Sequence, residues 1–274
     1  MSPKRGQHDD GVRRSLQESV DTRLVTDEAV AKFTEQLAAP LPPLVIVIAA
    51  LNEEGSIVSV LQEIPPTIAG LDTVVIVVDD GSTDHTGELA RANGALVCQL
   101  AHNCGHGAAL RAGYRIAREN GARFIATLDA DGQWDPGDLP AMVEILLADQ
   151  ADFVIGSRQL GHTENTDAVR NLGVRFFSKL ISTITQTPIT DSSSGLRVMR
   201  AELTGVVRQT QPQYQTSELL IGSIFQGYRV AEVPTVMRVR RAGVSHKGKN
   251  LFYGWRYSQV VLGTSYREWR HRAR

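Results

Sequence analysis

The sequence predicts an α/β fold, a mostly parallel central sheet covered by helices on both faces, and three observations carry that expectation. Short apolar runs recur at residues 44–48, 74–78, 95–100, 123–128 and 153–155. They are too short for helices and apolar on both sides, the pattern of strands buried from above and below. Segments of helical period at 54–64, 84–93, 107–120 and 137–148 separate them, so strand and helix alternate as a parallel sheet requires. After each strand the chain turns polar or glycine-rich: Asn52 and Glu53, Asp79 to Ser82, Asn103 to Gly107, Asp129 to Gln133, and Gly156-Ser157-Arg158. Ligands of such sheets bind beyond the carboxyl ends of the strands, so these five ends predict one continuous cleft.

The flanking segments are less regular. Residues 1–21 are polar and without apolar period, which predicts a disordered leader. Residues 24–39 have helical spacing at Val25, Ala29, Val30, Phe33 and Leu37, closed by Pro40, a helix expected on the outside of the main domain. Pro40, Pro42 and Pro43 stiffen the connection into the fold. In the second half, 159–167 reads as a polar loop, 168–185 as a long helix, 190–195 as an exposed turn and 196–199 as a short strand. A helix over 216–226, a strand region over 228–239 and a terminal helix over 252–272 follow. The expected organisation is a leader with a peripheral helix (1–40), a catalytic domain (41–248) and a basic amphipathic terminal helix (249–274).

Composition narrows the function. Of 274 residues, 29 are Lys or Arg and 30 Asp or Glu, for a net charge of −1, so no global basic field argues for nucleic acid. The charge is uneven, however: from Arg238 onward arginine and lysine recur while Glu268 is the single acid. That tail fits either an anionic partner or a solvated helix face. Leu251, Phe252, Trp255, Tyr257, Val260, Val261, Leu262, Tyr266 and Trp269 interleave with its cations. The mixture suits an interfacial helix on anionic lipid, or a helix packed against the catalytic domain. The two cysteines, Cys98 and Cys104, have neither metal-type spacing nor a disulfide framework, which fits a reduced, cytoplasmic protein. The longest apolar run, 44–51, is far shorter than the roughly 20 residues of a spanning helix. At a membrane, the protein would therefore sit on the cytoplasmic face.

The most informative stretch runs from Ala126 to Gln133, an apolar strand entering two carboxylates one residue apart. Alternate side chains of an extended chain share a face, so Asp129 and Asp131 can point at one spot. Like charges that close repel unless a cation lies between them. Hard carboxylate oxygens at a strand end suit Mg²⁺ or Mn²⁺, with Gln133 adding a carbonyl oxygen. The tripeptide alone also fits a solvated turn. Asp79 and Asp80 fit a turn or a contact to a base or ribose, and the glycines of 103–107 allow a ligand close to the backbone.

Taken together, "ALNEE", "VVDDGSTD", "NCGHGAALRAG", "TLDADGQWDP", "IGSR", "TDSSSGLRVMR", "SELLIGSIFQGYRVAEVP" and "RRAGVSHKG" resemble, in order, the motifs of family-2 glycosyltransferases with the GT-A fold, a Rossmann-like fold for nucleotide-diphospho-sugars. Within that family they look most like the polyprenyl-phosphate sugar synthases, the dolichyl-phosphate mannose synthase group, over about residues 44–248. The resemblance implies that Ala49, Leu51, Glu53, Val78 and Asp80 hold the nucleoside of a GDP- or UDP-linked sugar. It implies that Asp129, Ala130, Asp131 and Gln133 lie under its diphosphate, with Asp129, Asp131 and Gln133 as ligands of Mg²⁺ or Mn²⁺. Arg158 matches a phosphate-binding arginine, and Arg170, with Ser194, is placed on the acceptor side. The late Arg-x-x-Gly-x-Ser-Lys motif aligns as Arg240 with His246 or as Arg241 with Lys247, giving two candidate clamps for the diphosphate. Ala49 stands where proline is usual and His106 where lysine often occurs. A homo-oligomer is compatible with the resemblance.

The acceptor decides what further chemistry is needed. A lipid phosphate is already an oxyanion at neutral pH and needs only positioning. A hydroxyl of a glycan or small molecule needs a general base, for which Glu218 and Asp191 are the candidates; their alternative roles are a helix N-terminal charge and a turn cap. The expected function is inverting transfer to a polyprenyl phosphate. The rivals are transfer to a hydroxyl, a sugar-1-phosphate nucleotidylyltransferase and a non-catalytic nucleotide-sugar-binding protein. The second rival lacks its glycine-rich, arginine-containing loop here, because Asn52-Glu53-Glu54 follows the first strand.

Overall fold

In a computed structural model of the chain, the structure describes residues 5–164, 167–211, 213–240 and 250–272. The helix α1 (Arg5–Glu35) precedes β1 (Leu44–Ala50), α2 (Ile57–Gln62), β2 (Thr67–Ile68), β3 (Leu71–Asp79), α3 (Thr86–Ala92), β4 (Leu96–Gln99), α4 (His106–Glu119) and β5 (Phe124–Asp129). A 3-10 turn (Pro136–Asp138), α5 (Leu139–Leu147), β6 (Phe153–Thr163), α6 (Ala168–Thr185), β7 (Arg197–Arg200), α7 (Leu203–Val206), α8 (Gln215–Phe225), β8 (Val230–Met237) and α9 (Asn250–Arg272) follow.

The strands form one sheet in the order β2-β3-β1-β5-β7-β6-β8, with β4 on β3 beside β2. The pairs β1–β3, β1–β5, β3–β4 and β6–β8 are parallel, whereas β7 runs antiparallel to both β5 and β6. The fold is therefore the mostly parallel, two-faced α/β sheet that the sequence predicts. Along β1 the side chains alternate between two cores: Val45, Val47 and Ala49 enter one, and Leu44, Ile46, Ile48 and Ala50 the other. Helix α4 packs small residues onto the first core, and a side chain at Gly113 would overlap Val47.

Three segments differ from the sequence expectation. The leader is helical from Arg5, because no proline interrupts 5–39 and a helix propagates cheaply once one end is packed. That end is the predicted peripheral helix: Val30 and Phe33 are buried and Asp27 pairs with Arg115 of α4. The polar stretch 159–163 extends β6 rather than forming a loop, since it pairs with β8 across a bulge between Ser157 and His162. The turn at 190–195 is not exposed: Asp191, Ser192 and Ser194 are fully buried. Helix α9 packs on α8 and α6 through Tyr257, Val260 and Val261, and the Tyr257 hydroxyl lies 3.1 Å from Ser192 Oγ and bonds to Ser217.

Candidate active site

The site grows from the register of the sheet. Ala49 is paired with Val78 on one side and Asp129 on the other, so three of the predicted donor-side residues form a row at the carboxyl edge. Beyond that row the chain turns through Ala130 and Asp131 at Gly132, whose φ is +72°. Trp134 Nε1 donates to Asp129 Oδ2 at 2.9 Å, and the Gln133 amide donates to Asp131 Oδ1 at 3.1 Å. Burial first, and the Asp129 charge second, push the Asp131 carboxyl up to about 6.

A cation already meets these acids. Arg240 places Nη2 2.9 Å from Asp131 and Nη1 3.1 Å from Glu53. The segment after β8 brings it there: Trp134 bridges to Met237, and the Arg238 amide donates to the Gln133 carbonyl. Of the two candidate clamps, Arg240 thus reaches the cleft, while Arg241, Lys247 and His246 lie outside the described residues.

Opposite the acids stands a buried ion pair. Arg158 donates Nε to Asp191 Oδ2 at 2.7 Å and Nη2 to Asp191 Oδ1 at 2.9 Å, and Nη2 also reaches Ser193 Oγ at 2.6 Å. Asp191 in turn is held by Glu232 of β8, whose carboxylate accepts from the amides of Thr190 and Asp191 and from the Thr190 hydroxyl. Below this turn lies Arg197, fully buried and bonded to the carbonyls of Ser192, Ser194 and Thr216. Gly195 lets the turn pass against Asp129, since a side chain there would overlap the carboxylate.

Trp134 joins the two halves: its ring lies 5.7 Å from the Arg158 guanidinium while its N–H holds Asp129. Trp134→Phe keeps the ring and removes a hydrogen bond to a carboxylate. It is expected to lower kcat/KM by roughly ten- to a hundredfold with an unchanged circular dichroism spectrum, as steady-state kinetics would show.

At the nucleoside end, Asp80 is buried and accepts from the amides of Cys104 (2.7 Å) and Gly105 (3.0 Å). It pins the glycine loop to β3, and burial raises its carboxyl to about 6. Leu51 is half-buried and opens the loop after β1, while Glu53 is tied to α3 through Thr86.

Three expected residues, Glu218, Ser194 and Asp191, are buried and held by neighbouring groups. Glu218 is fully buried, and its oxygens accept from the Thr210 and Gln211 amides, the Thr210 hydroxyl and Arg267. Its charge ties α8 to α9. Ser194 is fully buried and bonds to Leu196. Asp191 answers Arg158 rather than standing open as a base. The side chain of Arg170 lies outside the described residues. Sequence reasoning missed Trp134, Glu232 and Arg197, whose only signal is that they sit within or beside quoted motifs. It also missed Arg175, which with Arg158, His162 and Asn171 lines a cleft between β6 and α6 and is held by Gln159 at 2.9 Å.

Among the described residues no group of three or more His, Cys, Asp and Glu is arranged to hold a metal ion by itself. The donor set is instead two hard carboxylates, of which Asp131 is raised first by burial and then by the Asp129 charge, with a cation already drawn to them. That set fits Mg²⁺ or Mn²⁺ bound with few protein ligands and open positions for phosphate oxygens.

The fold and this cleft define a GT-A glycosyltransferase. The profile described as Glycosyl transferase family 2 matches residues 45–207, and the chain belongs to that family. It is 33% identical over 197 residues to a dolichyl-phosphate hexose transferase of Haloferax volcanii, covering 72% of this chain and 83% of the relative. It is 29% identical over 242 residues to a UDP-N-acetylglucosamine–dolichyl-phosphate N-acetylglucosaminyltransferase of Methanococcus voltae, covering 79% and 94%. The fold is similar to that of glucosyl-3-phosphoglycerate synthase of Mycobacterium tuberculosis, solved with Mn²⁺, UDP and glucosyl-3-phosphoglycerate. Its TM-score is 0.63 at 24% identity, with 86% of this chain and 84% of that one covered.

Proposed function

We propose that this glycosyltransferase moves a sugar from a UDP- or GDP-linked donor to a polyprenyl phosphate, by a direct displacement that turns an α-linked donor into a β-linked product. The observation that carries the reading is the employment of the two acids that a hydroxyl acceptor would need. Glu218 and Asp191 are both fully buried and both committed to arginines. A nucleophile that brings its own negative charge suits such a site. A phosphate monoester, with a second pKa of about 6, is that nucleophile at neutral pH. Relatives named for dolichyl-phosphate acceptors support the same choice.

The residues divide the work. Ala49, Leu51, Val78 and the loop pinned by Asp80 form the nucleoside end. A bound Mg²⁺ or Mn²⁺ would be held by Asp129 and Asp131, with Gln133 beside them, and supplies positive charge to the departing diphosphate. Arg240 is the cation free to turn from the acids to that diphosphate once their charge is otherwise met. On the acceptor side, Arg175, His162 and Asn171 extend the cleft away from Arg158, and their task is orientation of the acceptor phosphate for in-line attack. The acceptor's isoprenoid lies in a membrane, so the reaction belongs at a cytoplasmic membrane face. No helix of the described residues is long and apolar enough to cross one.

The test supplies UDP- and GDP-hexoses with Mg²⁺ or Mn²⁺ and either polyprenyl phosphate or hydroxyl acceptors, with products read by mass spectrometry. The expected product is a phosphate-linked sugar; sugar appearing on hydroxyls alone would overturn the reading. Glu218→Gln sharpens the result. It is expected to destabilise the protein by about 1–3 kcal/mol and to leave turnover with polyprenyl phosphate within about threefold of wild type, because no base is needed. Loss of that turnover in folded protein would restore Glu218 as a base.

A further inference from the structure

Helix α6, which lines the acceptor cleft, and α9, which packs on α6, carry apolar side chains on the side that faces away from the protein. On α9, Trp255, Leu262, Tyr266 and Trp269 are all more than half exposed. They recur at i, i+7, i+11 and i+14, which is a single stripe along a helix, about 20 Å long. The buried Tyr257, Val260 and Val261 lie on the opposite face. On α6, Leu172 and Phe176 form a similar exposed stripe, opposite the buried Val174, Ser178 and Ile181. The helices touch where Phe177 of α6 meets Tyr257 of α9 edge to face at 4.4 Å. The two stripes are thus carried by helices that pack against each other.

The charge beside these stripes has one sign. Helix α6 contains no acid, and Arg175 and Lys179 flank its stripe. The one acid of α9, Glu268, is buried against Arg267, while Arg270 lies over the Tyr266 ring at 5.9 Å. Tryptophan and tyrosine beside arginine, with no exposed carboxylate on either helix, match a phospholipid interface: rings at headgroup depth, cations on phosphates. A second copy docked on the same surface would set like charges against each other.

We propose that the outer faces of α6 and α9 form a docking platform for an anionic lipid monolayer, which brings the mouth of the Arg175 cleft to the headgroup layer. The choice of lipid over a protein partner rests in part on the lipid-phosphate reading above.

Flotation with vesicles of phosphatidylcholine, with and without phosphatidylglycerol and lacking any acceptor, tests the platform. The wild-type protein is expected to float with the anionic vesicles, with a blue shift in tryptophan emission. That shift reports on α9, because Trp255 and Trp269 are exposed while Trp134 is buried. The variant Trp255→Ser/Trp269→Ser is expected to lose at least about tenfold in partitioning and to keep wild-type turnover on a short, water-soluble isoprenyl phosphate. Failure of the wild type to bind anionic vesicles, equal binding by the variant, or a dimer in sedimentation that the double substitution dissociates would overturn the proposal. Turnover on the short acceptor without vesicle binding sinks the platform alone. Vesicle binding without transfer to any lipid phosphate sinks the acceptor reading and leaves the platform standing.

Discussion

Asp131→Asn is expected to lower turnover of the nucleotide sugar by at least 10²–10³-fold, the order of loss when one preorganised charge at a reacting group is removed, and at the same time to stabilise the metal-free protein. The two effects share a cause. Asp131 is 5% exposed and close to Asp129, so its negative charge is useful only when a cation and a diphosphate are present. Its carboxyl is raised to about 6 from 3.8, which means the native state holds the proton more tightly than the unfolded chain. A raised carboxyl opposes folding above the folded value, and the opposition disappears below the unfolded one. In chelator, the variant should therefore be more stable than wild type by about 1–3 kcal/mol near pH 7.5. The gap should close as the pH falls from about 6 to about 4. Thermal unfolding across that range, paired with kinetics at neutral pH, reads both halves.

Asp191→Ala carries the largest expected cost in stability, about 3–5 kcal/mol. Both partners of the Arg158–Asp191 pair are nearly inaccessible, and Asp191 also accepts from the amides of Arg158 and Ser193. Removing the carboxylate strands a guanidinium whose other partners are Ser193, Met237 and the Trp134 ring. The double variant Asp191→Ala/Arg158→Met should recover part of the loss, because a buried pair is worth less than the damage done by breaking it. Activity should not return with it. Denaturant unfolding of the two single variants and the double variant measures the coupling; additive costs would show that the pair does not act as a unit.

The fold was legible where local pattern and burial agree. Runs such as Leu44–Ala50 are buried on both faces, so composition alone marks them as inner strands. The antiparallel β7 was visible as a short strand, but its place between β5 and β6 depends on long-range pairing that no local pattern encodes. The extension of β6 to Thr163 is hidden for another reason: beyond its pairing with β7 it runs on beside the cleft with Gln159, His162 and Thr163, and local polarity is a loop signal. In the site, Asp129 and Asp131 stand in a motif whose spacing puts them at a strand end, and Arg158 in one that lies within β6. Trp134, Glu232 and Arg197 act through the third dimension, each gripping a segment distant in sequence or reaching across the cleft. Glu218 shows the converse: a carboxylate at a helix start looks available in sequence, and only the fold reveals its bonds to Arg267 and the 210–211 turn.

Calorimetric titration of Mn²⁺ into the wild-type protein and into Asp131→Asn, with UDP present, tests the central claim most directly. Saturable binding to the wild type that weakens at least about tenfold in the variant is the result the account predicts. Equal binding to both proteins, with sugar transfer undiminished in chelator, would contradict it.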